Sequence, residues 1–486
     1  MALRHTAAKS ILWSGLESGS TSLIAFLSLI VLAKLLQPRD FGAFAASLAV
    51  VETAGILTNM IFHDALVQQS VVSEKHFDSA FTVSIALSLI VYALLWFAFP
   101  YVALAVQDVR VSDVGRTLGL GLLLTGPAGV LAAKQSREFR FRLLAMRTLA
   151  GRLGGATFGI VSACLGLGLW ALVIQHLAIM VLGAATLFGC TPNRRIRLTI
   201  RLRPVCDLFG YSVTATTSLV AGFISKRLFL LFAGVFLGTE VAGFLNLAFR
   251  LVDTVWSISA TAVSQVLLPT LAQLQHDRLR LMKAYRLSVA SASAILYPAF
   301  AGLGILAPEL IQLLFGTKWA AASPYVLALS AVTFMQIARF PAAPLLGSIN
   351  HVRDVCLINV ATLACMSAAI ALTRLTPDFV ALAVWGGAEF ITFAATMVIL
   401  RLRLGTTISQ QLSDVFVPFF ASISMMVVTR LARGFLPVDG LPHLRLLELG
   451  LIGALSYLAL MLVFGRQFLD PLAGMARVVL VKDKRT

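Results

Sequence analysis

Apolar runs of about twenty residues follow one another along nearly the whole of this chain, from Ile11 to Phe464, and the run from Ser79 to Val106 is almost uninterrupted. A bilayer core takes ~20 apolar residues per helical pass and offers no water to the backbone, so such runs fold as membrane-crossing helices that satisfy their own hydrogen bonds. The chain is 59% hydrophobic and 13% charged, with a mean hydropathy of +0.90. Soluble domains carry about a quarter charged residues, and no aqueous core would bury so much apolar side chain. A membrane β-barrel would show roughly ten-residue stretches of alternating polarity; this sequence has none.

The pattern predicts an all-α polytopic membrane protein of about fourteen transmembrane helices, near 11–33, 41–63, 79–106, 117–133, 146–165, 168–190, 207–226, 241–268, 287–306, 324–346, 355–373, 379–400, 414–433 and 446–464. The run 117–133 is short and holds Pro127, and Lys226 and Arg227 interrupt the end of 207–226, so somewhat fewer full passes are the alternative. The first run carries Glu17 and several serines and is read as a retained span rather than a cleaved signal. Lys and Arg near span ends stay in the cytoplasm. Basic clusters at 134–147, 194–203, 278–286 and 477–485 fall on one side when both termini are cytoplasmic.

A net charge of +17 could suggest nucleic acid, but the basic residues are spread over many short connections rather than one face. No nucleic acid is expected, and anionic lipid headgroups are the partner this distribution fits. The cysteines and histidines show no metal-ligand spacing, and no Gly-x-x-x-x-Gly-Lys phosphate loop is present, so neither a metal nor another cofactor is expected.

Residues 36–53 align with 237–254: Leu36 with Leu237, Gly42 with Gly243, Val51 with Val252, Glu52 with Asp253, Thr53 with Thr254. This weak duplication divides the chain into an N-terminal lobe at 1–206, a C-terminal lobe at 207–400, and two further spans with a basic tail at 401–486. Copies separated by six spans insert in the same direction, a transporter arrangement with the substrate between repeats and alternating access by their rocking.

Polar residues inside the spans follow helical periodicity. Ser10, Ser14, Glu17, Thr21 and Ser28 share a face in the first span; Glu52, Asn59 and His63 in the second; Asn246, Arg250, Asp253, Ser257, Thr261 and Ser264 in the eighth. A charge at the bilayer centre costs about 2.5–3.5 kcal/mol on insertion scales. The cations Lys226, Arg227, Arg250 and Arg339 and the carboxylates Glu17, Glu52, Asp253 and Glu389 should therefore face water or protein. They serve either a hydrated cationic cavity for an anionic headgroup, with a carboxylate exchanging a proton or sodium, or internal pairing such as Arg250 with Asp253. Snorkelling to the interface is the further alternative for Lys226, Arg227 and Arg339. The glycines of span five, Gly151, Gly154, Gly155 and Gly159, read as close helix packing.

Three segments resemble a known family. Leu35-Leu36-Gln37-Pro38-Arg39-Asp40-Phe41-Gly42 is similar to its Leu-x-Pro-x-Asp-Phe-Gly entry into span two. Arg137–Gln175 joins a basic-aromatic stretch to Gly166-Leu-Gly168-Leu-Trp170, and Leu314-Phe315-Gly316-Thr317-Lys318-Trp319 resembles Phe-Gly-x-x-Trp before span ten. With Gly243–Arg250 these resemble the polysaccharide transporters of the multidrug/oligosaccharidyl-lipid/polysaccharide exporter superfamily, the Wzx-type flippases. The resemblance implies two six-helix lobes plus two C-terminal helices in a bacterial inner membrane. It also implies a non-enzymatic role: moving an undecaprenyl-pyrophosphate-linked oligosaccharide across that membrane for exopolysaccharide or O-antigen synthesis, beside a polysaccharide polymerase and export machinery.

The family's acidic residue near the end of span seven is replaced here by Ser225-Lys226-Arg227-Leu228, which makes the site more cationic and leaves open a subgroup serving acidic exopolysaccharides of the succinoglycan kind. The rivals are a cation-coupled multidrug exporter, whose cationic cargo the embedded Lys and Arg would repel, and a membrane polymerase or glycosyltransferase. An enzyme would need more than the external connection 307–323, whose charges are Glu309 and Lys318.

Overall fold

The computed structural model describes residues 2–68, 72–190, 202–273, 278–349, 351–435 and 442–465, with side chains left out of the description at 2–18, 57, 59–65, 68, 202–220, 259–273, 278, 378 and 442. Among the described residues there is no strand. The order is α1 (Ala2–Leu35), α2 (Pro38–Gln68), α3 (Glu74–Val106), α4 (Arg110–Gly119), α5 (Leu122–Arg137), α6 (Phe141–Cys164), α7 (Leu169–Cys190) and α8 (Leu202–Gln273). There follow α9 (Arg278–Ile305), α10 (Ala307–Phe315), α11 (Ser323–Arg339), α12 (Ala342–Ser348), α13 (Val352–Thr373), α14 (Asp378–Leu404), α15 (Ile408–Phe435) and α16 (Pro442–Phe464). Among the described residues 10 helical segments are long and apolar enough to cross a membrane, and each span expected from the sequence has its helix.

Three differences from the sequence expectation concern breaks. The short fourth run is the middle of a longer pass, Arg110–Arg137, interrupted between α4 and α5 at Leu120 and Gly121. The tenth is α11 and α12, parted at Phe340 and Pro341. Lys226 and Arg227 end nothing: α8 continues through them to Gly238, whose φ of 87° and ψ of 166° break the helix into two arms. That conformation is open essentially to glycine alone. The external connection 307–323 is also ordered, as α10 and the 3-10 turn Thr317–Ala322. Gly316 takes φ 88° between them, and the following Trp319 is fully buried.

The chain forms two compact units, Met1–Leu247 with Ser367–Ala381 and Ala248–Met366 with Leu382–Thr486. In the first, α6 lies against α7 through its glycines: a Cβ on Gly151 would meet the Ile179 carbonyl oxygen at 2.8 Å, and one on Gly159 would meet the Gln175 Cβ at 2.7 Å. The packing role expected of this glycine-rich span is the one seen. Gln175 also donates to Ser28 Oγ of α1 at 2.5 Å.

The start of α2 explains the first motif residue by residue. Pro38 occupies the first helical position, where its missing N–H costs nothing. Asp40 accepts the Gln37 N–H at 3.2 Å and the Arg110 guanidinium at 2.8 Å, and Arg110 also holds Asp108 at 2.7 Å. Gly42 and Gly243, aligned in the repeat, meet each other's segment. A Cβ on Gly42 would strike the Thr239 carbonyl oxygen, and one on Gly243 that of Pro38. Thr239 and Pro38 are themselves aligned, so the contact is reciprocal. Asn246 adds a hydrogen bond from Nδ2 to the Phe41 oxygen at 3.4 Å.

In the second unit aromatic side chains do the corresponding packing. Tyr297 of α9 lies 4.8 Å from Phe334 of α11, and its neighbour Phe300 is fully buried. Tyr457 of α16 donates to the Ala294 carbonyl at 2.7 Å.

Candidate functional site

Glu52 lies mid-way along α2, on a helix whose buried face includes Leu48, Ala49 and Val51. Its Oε2 stands 2.5 Å from Nε of Arg227 on the first arm of α8, and both side chains are 23% exposed. One turn earlier, Phe223 places its ring 5.0 Å beneath the same guanidinium. Arg227 is about three turns before Gly238, inside the apolar part of the arm. The guanidinium is therefore held within the span by a carboxylate and an aromatic face rather than drawn to the interface. Lys226 is half-buried beside it.

The second unit holds a pair of the same kind. Arg339, in the last turn of α11, donates from Nη2 to Oε2 of Glu389 on α14 at 2.7 Å, with side chains 27% and 13% exposed. Its Nε is buried with no acceptor among the described residues. Pairing with Glu389 replaces the snorkelling alternative for this arginine.

The second arm of α8 passes both elements that carry that pair. Phe249 stacks edge-on to Trp385, one turn before Glu389, at 5.0 Å, and Trp256 stacks edge-on to Phe340, next to Arg339, at 5.3 Å. Between those two aromatic anchors lie half-buried Arg250 and exposed Asp253. Thr254 donates its hydroxyl back to the Arg250 carbonyl at 2.7 Å, the usual i−4 bond of a helical threonine. Thr261 and Ser264, like Asn59, His63 and Glu17, have side chains outside the described ones.

The structure thus brings together Glu52 with Arg227 and Glu389 with Arg339, and places Arg250 and Asp253 one turn apart on one helical arm. Chemically, a half-buried arginine–carboxylate pair is an anion site with an occupant already in it. A phosphate presents the same oxygens to the same planar fork, so it can take the carboxylate's place. Sequence reasoning missed a further pair. Glu309, taken as a loop charge, is buried in the first turn of α10 and binds Arg433 of α15 at 2.8 Å. The apolar, proline-started run Ala307–Phe315 was the available signal that this stretch is helical. Among the described residues no group of three or more His, Cys, Asp or Glu could hold a metal ion.

A family model described as polysaccharide biosynthesis protein matches residues 31–324, more than half of the chain. The chain belongs to that family. The matched stretch of the polysaccharide biosynthesis family includes Glu52, Arg227, Arg250 and Asp253, while Arg339 and Glu389 lie beyond it.

The chain is 29% identical over 329 residues to the succinoglycan biosynthesis transport protein ExoT of Rhizobium meliloti (strain 1021), covering 68% of this chain and 66% of that one. It is 21% identical over 438 residues to the lipopolysaccharide biosynthesis protein WzxC of Escherichia coli (strain K12), covering 88% of each. Among solved structures it superposes on the lipid II flippase MurJ in an inward closed conformation with a TM-score of 0.73 at 13% identity, covering 94% of this chain and 100% of that one. An inward-facing multidrug resistance MATE family transporter gives a TM-score of 0.59 at 15% identity, covering 79% and 94%. These structural likenesses concern the fold alone: the chain shares the helical architecture of those two proteins.

Proposed function

We propose that this protein is a flippase for lipid-linked oligosaccharides, moving pyrophosphate-linked repeat units across the bacterial inner membrane by alternating access, with both termini cytoplasmic. Membership of the polysaccharide biosynthesis family supports the cargo class, as do relatives named for succinoglycan transport and lipopolysaccharide biosynthesis. The observation that carries the mechanism is the pairing of Arg227 with Glu52 inside the membrane span.

The mechanism is an exchange of partners. The pyrophosphate of the cargo displaces Glu52 from Arg227; the Arg339–Glu389 pair of the second unit is open to an anion by the same chemistry. Each released carboxylate, left in a poorly hydrated span, takes up a proton or a sodium ion because an uncompensated charge there is costly. Release of the headgroup returns the arginine to its carboxylate and expels the cation. The chemistry needs no bond making, which fits a transporter rather than an enzyme.

A polymerase and export machinery are the partners that would consume the translocated repeat unit. The multidrug reading shares the fold but leaves the glycan-named relatives unexplained. The test is deletion of the gene and assay of lipid-linked repeat units. They are expected to collect in the cytoplasmic leaflet with polymer lost, and plasmid-borne wild type restores polymer while Arg227→Ala does not. Undiminished polymer after deletion contradicts the proposal.

A further inference from the structure

Arg152 of α6 was not among the predicted site residues, and its position is unlike that of any other embedded cation described. It lies about three turns from each end of α6, at mid-span. Steps of seven along a helix return to one face, and Ala145 and Gly159, one step either side of Arg152, are both buried. The lipid-facing surface of α6 is elsewhere, marked by exposed Met146, Leu153 and Val161. Arg152 is nevertheless exposed. A long side chain that is accessible in the middle of a row otherwise packed against protein opens into a gap on the protein side of the helix, not into lipid.

Its described surroundings also differ. Arg227 has Glu52, Arg339 has Glu389 and Arg433 has Glu309. No carboxylate lies at ion-pair distance from Arg152 among the described residues. A mid-span charge with no carboxylate beside it among the described residues is costly enough to mark a functional group, and a guanidinium there has five donors in a fork suited to two adjacent phosphate oxygens. Arg227 and Arg339 must give up a carboxylate to bind an anion, and among the described residues Arg152 has none to give up.

We propose that Arg152 is a headgroup-binding residue that engages the pyrophosphate of the lipid-linked cargo before the paired arginines exchange partners. This rests on the proposed flippase function and deepens it by naming the group that makes the first contact.

The test places a single thiol one helical turn from it, Ala156→Cys, in a chain that keeps Arg152 and whose five native cysteines are replaced by alanine. The thiol is then modified in proteoliposomes by a membrane-impermeant maleimide. Modification is expected, slowed several-fold by a polyprenyl pyrophosphate but not by the polyprenol. Slowing by inorganic pyrophosphate alone would assign the site to a free anion and overturn the lipid assignment. A thiol that is inert in a folded protein, or modified without protection, overturns the proposal. In the otherwise native chain, Arg152→Lys keeps the charge and loses the fork, and is expected to raise the half-saturating concentration of the polyprenyl pyrophosphate about tenfold; an unchanged value contradicts it. Wild-type translocation with an unprotected thiol defeats this assignment alone. A protected thiol in a protein that translocates no lipid-linked sugar defeats the flippase reading and leaves the anion site standing.

Discussion

At Gly42 an added Cβ would collide with the Thr239 carbonyl oxygen, and at Gly243 one would collide with that of Pro38. Neither neighbour is a flexible side-chain tip, so the helix starts must separate. Gly42→Ala and Gly243→Ala are each expected to lower stability by about 1–3 kcal/mol, the range for overpacking a tight contact, read as a fall in the unfolding midpoint in detergent. The double variant should cost less than the sum because both residues open the same crossing. For the Glu52–Arg227 pair, Glu52→Gln leaves a half-buried guanidinium without its counter-charge and is expected to cost more than Glu52→Gln with Arg227→Gln together. A coupling of about 0.5–3 kcal/mol in the double-mutant cycle measures the pair.

Asp108, in the turn between α3 and α4, gives a pH prediction. Burial pushes its carboxyl up, but the hydrogen bonds and charge of Arg110 outweigh burial and hold it below the ordinary carboxylate value of 3.8. A carboxylate depressed in the folded state stabilises it above the unfolded value and loses that effect as pH falls through the folded one. Asp108→Asn is therefore expected to lower the unfolding midpoint at neutral pH and to converge with wild type below about pH 4. A gap that persists in acid contradicts the account.

Gly238 governs the longest element. Its φ of 87° with ψ of 166° is strained for any residue with a Cβ, although the space around it is open. Gly238→Ala is expected to cost about 1–3 kcal/mol from backbone strain alone, while Gly222→Ala, in the helical first arm with nothing near its Cβ position, is neutral or slightly stabilising in the same melt. The helices were legible because each apolar run matches a bilayer. Their breaks were not, because hydropathy carries no trace of them. Leu228–Leu237 resumes the apolar run after Lys226 and Arg227, so the charges read as an end where the backbone simply continues. Glu309 was read as a loop charge for the converse reason: α10 has only 9 residues, too short for a span, and its helical nature shows in its capping and packing.

For the whole molecule, the sequence located the embedded charges, since a helical stripe of Glu, Asp, Arg and Lys is conspicuous among apolar residues. It could not say which would meet. Glu52 and Arg227 are joined only through the packing of α2 on α8, and Arg339 and Glu389 through that of α11 on α14, contacts that no periodicity within one helix encodes. Only Arg250 and Asp253, three residues apart, stand close enough in sequence for spacing alone to suggest a pair. The account's central claim is that these paired arginines hold the headgroup during translocation.

Its most direct test is the rate at which a fluorescent polyprenyl-pyrophosphate-linked oligosaccharide reaches the far leaflet of proteoliposomes, scored by a membrane-impermeant quencher. Wild type is compared there with Arg227→Ala/Arg339→Ala at equal folded protein. The account predicts a loss of at least about tenfold, the scale of one charge-assisted hydrogen bond. A double variant that moves the lipid as fast as wild type would contradict it.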